Sequence, residues 1–542
     1  MKLTKLSLFA ALSALVGAGC DKSATPDSRS TVPYALTSQT VAHFHWLGKK
    51  QLAVTTNAAS LMRIWNQPES AAVEAQALDK LSTAPWRLLP HVATTNSTVA
   101  APRLRSLLDD CVQAESYFEV RAATNQPVEI AFAIQLSADR AALWQTNLAA
   151  VLESLTGLRT EPTEKGWTLK KHELPNRIEL TRVGGWVVVG IGQDQNALFG
   201  DFVARILRDH TPITRASADF WAEGSVDLPR LIEAFKLDWR LPGNLSKIAF
   251  NYMGDGQNLQ TRGTLNFSQP LALPLEPWNV PTNLIRGGIG SFTALRGLAP
   301  WLGSQKIWRD LDLGPAPNQL FVWAGHGIPM QTLFAFPEAD ATNRLAQITN
   351  SLLQKVSPRL VAQRSGQLEA STDFAGLSWT GLPFLVPYLR PFEGFIYGGF
   401  FTAPVGRSGL PPQMLMELNR TNTFYYDWEL TGPRIESWIY IGQTLRLTFH
   451  KSQLPPSPAL DWLQANRQTL GNCVTVATRS GADQLAFSRT SAGVGFTAFE
   501  LHLLADWLVS ADFPAGLNTT RGRVPTVKPG KGALPPTAPA SR

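Results

Sequence analysis

Val128-Glu129-Ile130-Ala131-Phe132-Ala133-Ile134-Gln135-Leu136, then Ser137, then Ala138-Asp139-Arg140-Ala141-Ala142-Leu143-Trp144 is the stretch on which the fold turns. Its first nine residues read as a strand, being short and rich in β-branched and aromatic residues. Ser137 suits a helix N-cap. Beyond it, Trp144, Leu148, Val151, Leu152 and Leu155 recur at helical spacing and form one apolar face. A strand feeding a helix in this way recurs downstream. Upstream lies a strand signal at Tyr117–Ala122. Before it, residues 39–113 read as mainly helical, with apolar periodicity over Ala58–Trp65, Ser70–Leu89 and Arg103–Val112.

Downstream, strands are expected around Trp167, over Ile178–Arg182 and over Trp186–Ile191, with a helix over Asn196–Leu207. Ile248, Phe250 and Tyr252 alternate, as do Leu259, Thr261, Leu265 and Phe267. Gly254-Asp255-Gly256 between them predicts a β-hairpin. Pro270, Pro274, Pro277 and Pro281 then mark residues 268–283 as a linker.

The chain beyond this linker resembles the chain preceding it. Phe334-Ala335-Phe336 precedes a second periodic helix just as Phe132-Ala133-Ile134 precedes the first. Leu174-Pro175, Arg182 and Gly190 match Leu382-Pro383, Arg390 and Gly398 at a constant offset of 208 residues. The expected fold class is therefore α+β, in two related halves with helices packed on mostly antiparallel sheets. The first half spans 39–267 and includes an N-terminal helical part; the second spans 284–516.

The chain ends carry different information. Lys2 and Lys5 precede an apolar run from Leu6 to Val16, too short for a permanent membrane span but suited to a secretory signal over residues 1–19. Gly17-Ala18-Gly19-Cys20 resembles a bacterial lipobox, which makes Cys20 the lipidated first residue of the mature chain. Val16-Gly17-Ala18 alternatively suits ordinary signal peptidase. Residues 20–38 form a polar linker. Residues 517–542 hold Pro525, Pro529, Pro535, Pro536 and Pro539 and little to bury, so an unstructured tail is expected.

The formal net charge is +7. Two of those charges sit in the signal segment and five in the tail (Arg521, Arg523, Lys528, Lys531 and Arg542), which leaves a neutral body. Duplex nucleic-acid binding needs clustered cations and has no support there. The tail serves as a solubilising end or as a contact for anionic cell-wall polymer, lipid or another envelope protein.

No catalytic pattern is complete. Gly190-Ile191-Gly192 lacks the third glycine of a dinucleotide turn, since residue 195 is Gln. His43 and His45 share one strand face and offer two metal ligands without a third. His326, between two glycines at a strand end, has no recognisable nucleophile beside it. Asp109 and Asp110 are helix neighbours that point apart. No cofactor or metal is expected. Trp144, Trp167, Trp186 and Trp323 fall in periodic apolar segments and belong to the core. Cys111 and Cys473 could pair in an oxidising compartment or remain separate buried thiols.

The signal sequence, the opening Val41-Ala42-His43-Phe44-His45-Trp46-Leu47-Gly48 and the paired halves resemble uncharacterised exported bacterial proteins of unknown-function families. That resemblance implies class and location only: a membrane-anchored lipoprotein facing the periplasm or the cell surface. The expected function is non-enzymatic binding or scaffolding in the envelope. The alternatives are a periplasmic carrier or chaperone for lipid or another apolar ligand, and a cell-wall hydrolase.

Overall fold

The computed structural model describes residues 40–515 apart from 89–96, 123–127, 171–176, 194–195, 213–216, 238–243, 327–330, 372–375, 383–384, 402–405, 407–408, 421 and 449–455. The signal segment, Cys20, the polar linker and the basic tail lie outside the described residues. Among those residues the chain is mixed α+β, with twenty strands in one sheet.

The chain enters on β1 (Thr40–Trp46), not on a helix. It is the strand on which His43 and His45 share a face, and the residues after it, up to Gln113, are mainly helical. Val41 and Ala42 are buried beside half-buried Phe44, so the strand is covered on both faces and lacks a helical period. Helices α1 (Lys49–Leu52), α2 (Ala59–Trp65), α3 (Pro68–Leu88) and α4 (Ser97–Gln113) come next. Then come β2 (Ser116–Arg121), β3 (Glu129–Gln135), α5 (Ala138–Thr156), β4 (Glu161–Thr163), β5 (Gly166–Leu169), β6 (Arg177–Val183) and β7 (Trp186–Gly192). This run closes with α6 (Ala197–Asp209), β8 (Ala222–Asp227), α7 (Leu228–Phe235), β9 (Leu245–Gly254) and β10 (Leu259–Phe267).

Local chemistry accounts for the elements read from the sequence. Helix α5 starts after extended Ser137 and ends at Gly157 in the left-handed conformation, where a side chain would be strained. Its stripe of Trp144 and Leu152 packs on Trp167, Leu169 and Ile178. In the β9–β10 turn, Asp255 Oδ1 accepts from the backbone N–H groups of Gln257 and Asn258 at 2.9 and 2.6 Å. That is an Asx-type turn closed by its own side chain.

The second set of elements begins with β11 (Ile289–Arg296), α8 (Ala299–Ser304), α9 (Lys306–Asp310), β12 (Gln319–Gly325) and β13 (Thr332–Pro337). It continues with α10 (Ala341–Lys355), α11 (Ser357–Ala362), β14 (Gln367–Ser371), β15 (Gly376–Thr380), β16 (Tyr388–Phe392) and β17 (Phe395–Gly399). The last elements are α12 (Pro412–Leu418), β18 (Thr423–Leu430), α13 (Thr431–Thr448), α14 (Pro458–Asn466), β19 (Asn472–Arg479), β20 (Gln484–Ser491) and α15 (Ala498–Val509).

All pairings are antiparallel. The first ten strands lie in the order β4-β5-β6-β7-β3-β2-β1-β8-β9-β10. The second ten lie in the order β14-β15-β16-β17-β13-β12-β11-β18-β19-β20. The same connectivity thus occurs twice, and β10 pairs with β20 to join the two runs edge to edge.

The two-residue turns closing β6–β7 (Val183 opposite Trp186) and β16–β17 (Phe392 opposite Phe395) fix which positions correspond. Counting outward from them, Phe132-Ala133-Ile134 fall at the places of Phe334-Ala335-Phe336, as the sequence match has it. The constant offset of 208, however, is one residue out of register. Gly190 holds the place of Gly399, not Gly398, and Arg182 that of Pro391, not Arg390. A one-residue slip exchanges the two faces of a strand, so the correction matters for every side chain.

The Pro-rich segment connects the two runs without insulating them. Leu271 N–H donates to Ala482 O across the join. Ile64, Val73, Ala77 and Leu81 pack in one cluster with Ile435, Leu463, Leu501 and Leu508. Lys80 Nζ donates to the carbonyls of Leu508, Val509 and Ser510, capping the C-terminal end of α15 where the helix dipole is negative.

Candidate functional site

Among the described residues, buried charged groups are densest in two clusters, one in each run of strands. In the first, antiparallel pairing sets His45 opposite Tyr117 and Glu223, and His43 opposite Glu119 and Ser225. All six side chains therefore share one sheet face. His45 is 1% exposed, with Nε2 2.9 Å from Glu115 Oε1 and Nδ1 3.9 Å from Glu223. Gln51 donates to the other oxygen of Glu115. Helix α6 covers this face: Phe202 packs edge-on to Tyr117, and Arg205 reaches Glu119 Oε2 at 3.5 Å. Arg121 bridges Glu119 at 2.9 Å and Asp201 of α6 at 2.6 Å.

Burial sets the electrostatics here. It pulls the His43 imidazole down to about 4, helped by Lys247 and His45 and opposed by Glu119. His43 is consequently neutral at pH 7, with Nδ1 3.0 Å from Ser225 Oγ. Burial likewise pushes the Tyr117 hydroxyl well above its ordinary range, with Glu119 and Glu223 adding to the effect.

The second cluster lies on β18. Asp427 stands opposite Thr293 and Thr475, and Glu429 opposite Ser291 and Cys473. Both acids are buried, and burial pushes Asp427 up to about 6 and Glu429 up to about 7; Asp427 itself adds to the rise at Glu429. Thr293 donates to Asp427 at 2.6 Å, and the first amide of α15, at Ala498, donates to Glu429 at 2.7 Å. Arg489 donates to both oxygens of Glu500, at 2.6 and 2.9 Å, and to Thr475. Buried Arg434 offsets the acids through space and lies over the Trp438 ring at 5.4 Å, while its Nε and Nη1 meet no acceptor among the described residues. Two carboxyls poised near neutrality suit proton transfer in principle. Both are nearly closed off from solvent, at 7% and 5% exposure.

Sequence reasoning did not single out Asp427 or Glu429. A signal existed in Tyr425-Tyr426-Asp427-Trp428-Glu429, where period-two alternation puts the acids on one face and Tyr426 and Trp428 on the other.

The sequence candidates separate widely. His43 and His45 share a strand face, but no group of three or more His, Cys, Asp or Glu side chains suited to a metal occurs among the described residues. Gly190 and Gly192 serve packing: a Cβ would meet the Phe199 ring at 2.5 Å and the Asn196 side chain at 2.7 Å. Asn196 caps α6, accepting from Phe199 N–H. His326 lies exposed past the end of β12. Asp109 pairs with Arg105, whereas Asp110 accepts from Arg140 and from the Trp144 indole. Trp144, Trp167, Trp186 and Trp323 are all buried.

The bridge considered between Cys111 and Cys473 is not made, and both are free thiols. Cys111 lies on α4 beside the Trp144 cluster, whereas Cys473 lies on β19 opposite Glu429 and Ser491. Burial raises both thiols, Cys111 to about 12.

Outside the clusters, large apolar side chains stand exposed on the paired helices α13 and α15. Tyr440 and Leu447 project from α13, and Phe499 and Leu503 from α15. Phe499 also packs against Trp438, with ring centroids 4.7 Å apart. Among the described residues no helix is long and apolar enough to cross a membrane.

No family model matches the chain, and no curated protein matches it. Among solved structures it is similar to two crystal forms of TP0453. Form IV is 8% identical with a TM-score of 0.20, over 42% of this chain and 76% of that one. Form III is 10% identical with a TM-score of 0.19, over 57% of this chain and 90% of that one. Likeness at that level carries no functional argument.

Proposed function

We propose that this protein is an exported cell-envelope lipoprotein, anchored through Cys20, that acts by binding another envelope component rather than by catalysis. One observation carries the reading. The groups best suited to chemistry are sealed between sheet and helices, whereas Tyr440, Leu447, Phe499 and Leu503 stand exposed on two helices that pack side by side. Single exposed apolar residues are ordinary on any surface, and a set of them on adjoining helices supports contact with another molecule. The neutral body disfavours nucleic acid as that molecule, and the basic tail supplies a second contact for anionic polymer.

A photo-crosslinking residue at position 503, in cells, tests the binding surface against the same residue at Val54, which is 85% exposed and far from this set in sequence. A discrete adduct at 503 that Phe499→Ser abolishes is expected. Equal labelling at both positions, or none at 503, rules the surface out. Intact mass and detergent partitioning beside Cys20→Ala test the anchor: an acylated N-terminus, lost in the variant, is expected. An unmodified start upstream of Cys20, with both forms soluble, overturns it.

A further inference from the structure

The segment between β11 and β12 presents a surface that neither the core nor the α13–α15 face uses. Trp301 on α8 is 59% exposed and Ile307 on α9 is 68% exposed. The exposure is not that of a loosely held loop. The Trp308 indole donates to Gly314 O at 2.8 Å, and Lys355, in the last turn of α10, donates to Asp310 O at 3.0 Å. Ser304 and Gln305 side chains close on Trp301 O. Four hydrogen bonds, one of them from α10, thus hold the short helices while Trp301 and Ile307 face water.

The charges around them lean positive by one. Lys306, Arg309 and Lys355 all act on Asp310, and the Lys306 contact leads in holding its carboxyl below the usual range. With exposed Asp312 two residues on, the segment and Lys355 set three cations against two acids. Lys306 and Arg309 stand exposed on the same short helix as Ile307.

We infer that α8 and α9 dock on an anionic lipid bilayer, Trp301 and Ile307 entering the headgroup boundary while Lys306, Arg309 and Lys355 meet lipid phosphates. An indole suits that boundary because one edge is polar and the rest apolar. Lysine and arginine keep their charge among headgroups while their stems lie along acyl chains. The surplus positive charge complements anionic lipid, and each cation near such a surface adds attraction that salt weakens. This contact is separate from the acyl chain proposed on Cys20 and does not depend on it.

The test is flotation of the full chain carrying Cys20→Ala, so that no acyl chain contributes. The vesicles are phosphatidylcholine alone or phosphatidylcholine mixed with phosphatidylglycerol. Flotation with the anionic vesicles, weakened by salt, is expected. Trp301→Ser with Ile307→Ser should lower the apparent affinity by about tenfold or more, since both bear on apolar burial alone. Lys306→Gln with Arg309→Gln should remove the preference for phosphatidylglycerol. All four side chains are exposed, and an unchanged circular dichroism spectrum confirms that the variants fold. Absence of flotation, or flotation that neither pair of changes alters, overturns the inference. So does a result in which Trp301→Ser with Ile307→Ser breaks a dimer instead, which would assign the surface to a second copy of the chain.

Discussion

At matching places in the ladders, the two runs of strands bury opposite chemistry. The row Ala133–Tyr117–His45–Glu223 in the first corresponds to Ala335–Phe321–Ala294–Tyr426 in the second. The next row, Ala131–Glu119–His43–Ser225, corresponds to Leu333–Trp323–Phe292–Trp428. On the other face the exchange reverses. Ala42–Val226–Ile248 and Phe44–Gly224–Phe250 correspond to Ser291–Glu429–Cys473 and Thr293–Asp427–Thr475. The ionic cluster thus sits under α6 in one half and against α13 and α15 in the other. The backbone pairing is indifferent to this choice, because ladder hydrogen bonds involve no side chain. Which face holds charge depends on whether the covering helix brings partners, as α6 brings Asp201 and Arg205 and α15 brings Glu500 and its first amide.

The largest effects should come from emptying or unpairing one of the corresponding places. Trp323→Ala removes a fully buried ring and should cost about 3–5 kcal/mol, as large-to-small core changes do. Arg121→Met leaves Glu119 buried with one fewer partner, and the cost is about 3–5 kcal/mol by a different route. Urea unfolding separates the routes. Adding Glu119→Gln should restore much of the stability lost in Arg121→Met and should do nothing for Trp323→Ala. Equal behaviour of the two would dissolve the contrast between the faces.

The halves should also respond to pH with opposite sign. Asp427 and Glu429 keep protons in the folded chain up to about 6 and about 7, where the unfolded chain has already released them. Their contribution is therefore most favourable in acid and falls as pH climbs from about 4 to about 7. His43 works the other way: the unfolded chain takes up a proton near pH 6.5, and the folded chain resists it down to about 4. Its contribution is whole above about pH 6.5 and is lost as pH falls towards 4. Glu429→Gln should thus raise the melting temperature at about pH 8 more than at about pH 5, an effect on the order of 2 kcal/mol. His43→Phe, which borrows the residue of the corresponding place, should flatten the acid limb instead. Parallel pH profiles for both variants would contradict the assigned environments.

Smaller effects probe how the halves are held together. Lys80→Met removes the cation at the C-terminal end of α15 and should cost about 1–2 kcal/mol. Calorimetry should show one transition in the parent and a broader or divided one in the variant. A single unbroadened transition would place the coupling in the shared apolar cluster alone. Leu503→Ser should change stability by no more than about 0.5 kcal/mol, being exposed, while abolishing a crosslink formed from position 499.

Much of the fold was legible because it is written locally. The Asp255 turn closes within four residues, the Trp144 stripe shows itself within one helix, and alternation marks β9 and β10. The entry strand was legible only through the spacing of His43 and His45, because Val41–Trp46 is covered on both faces and precedes a long helical stretch. The repeat was visible at Phe132-Ala133-Ile134 but misread by one residue near Gly190, since a sequence offset cannot see where a hairpin turns. The ionic clusters were the least legible. His45 meets Glu115 and Glu223, which lie far apart along the chain, and Glu429 meets an amide at Ala498.

The sequence by itself determined the α+β class, most helices and strands, and the buried place of four tryptophans. Those arise from periodicity, caps and turn residues acting over a few positions. Tertiary structure alone decided the joining of β10 to β20, the face on which each half hides its charges, and the pKa values of His43, Asp427 and Glu429. A buried charge is set by what desolvates it and what opposes it, and here those groups come from strands and helices that only folding brings together.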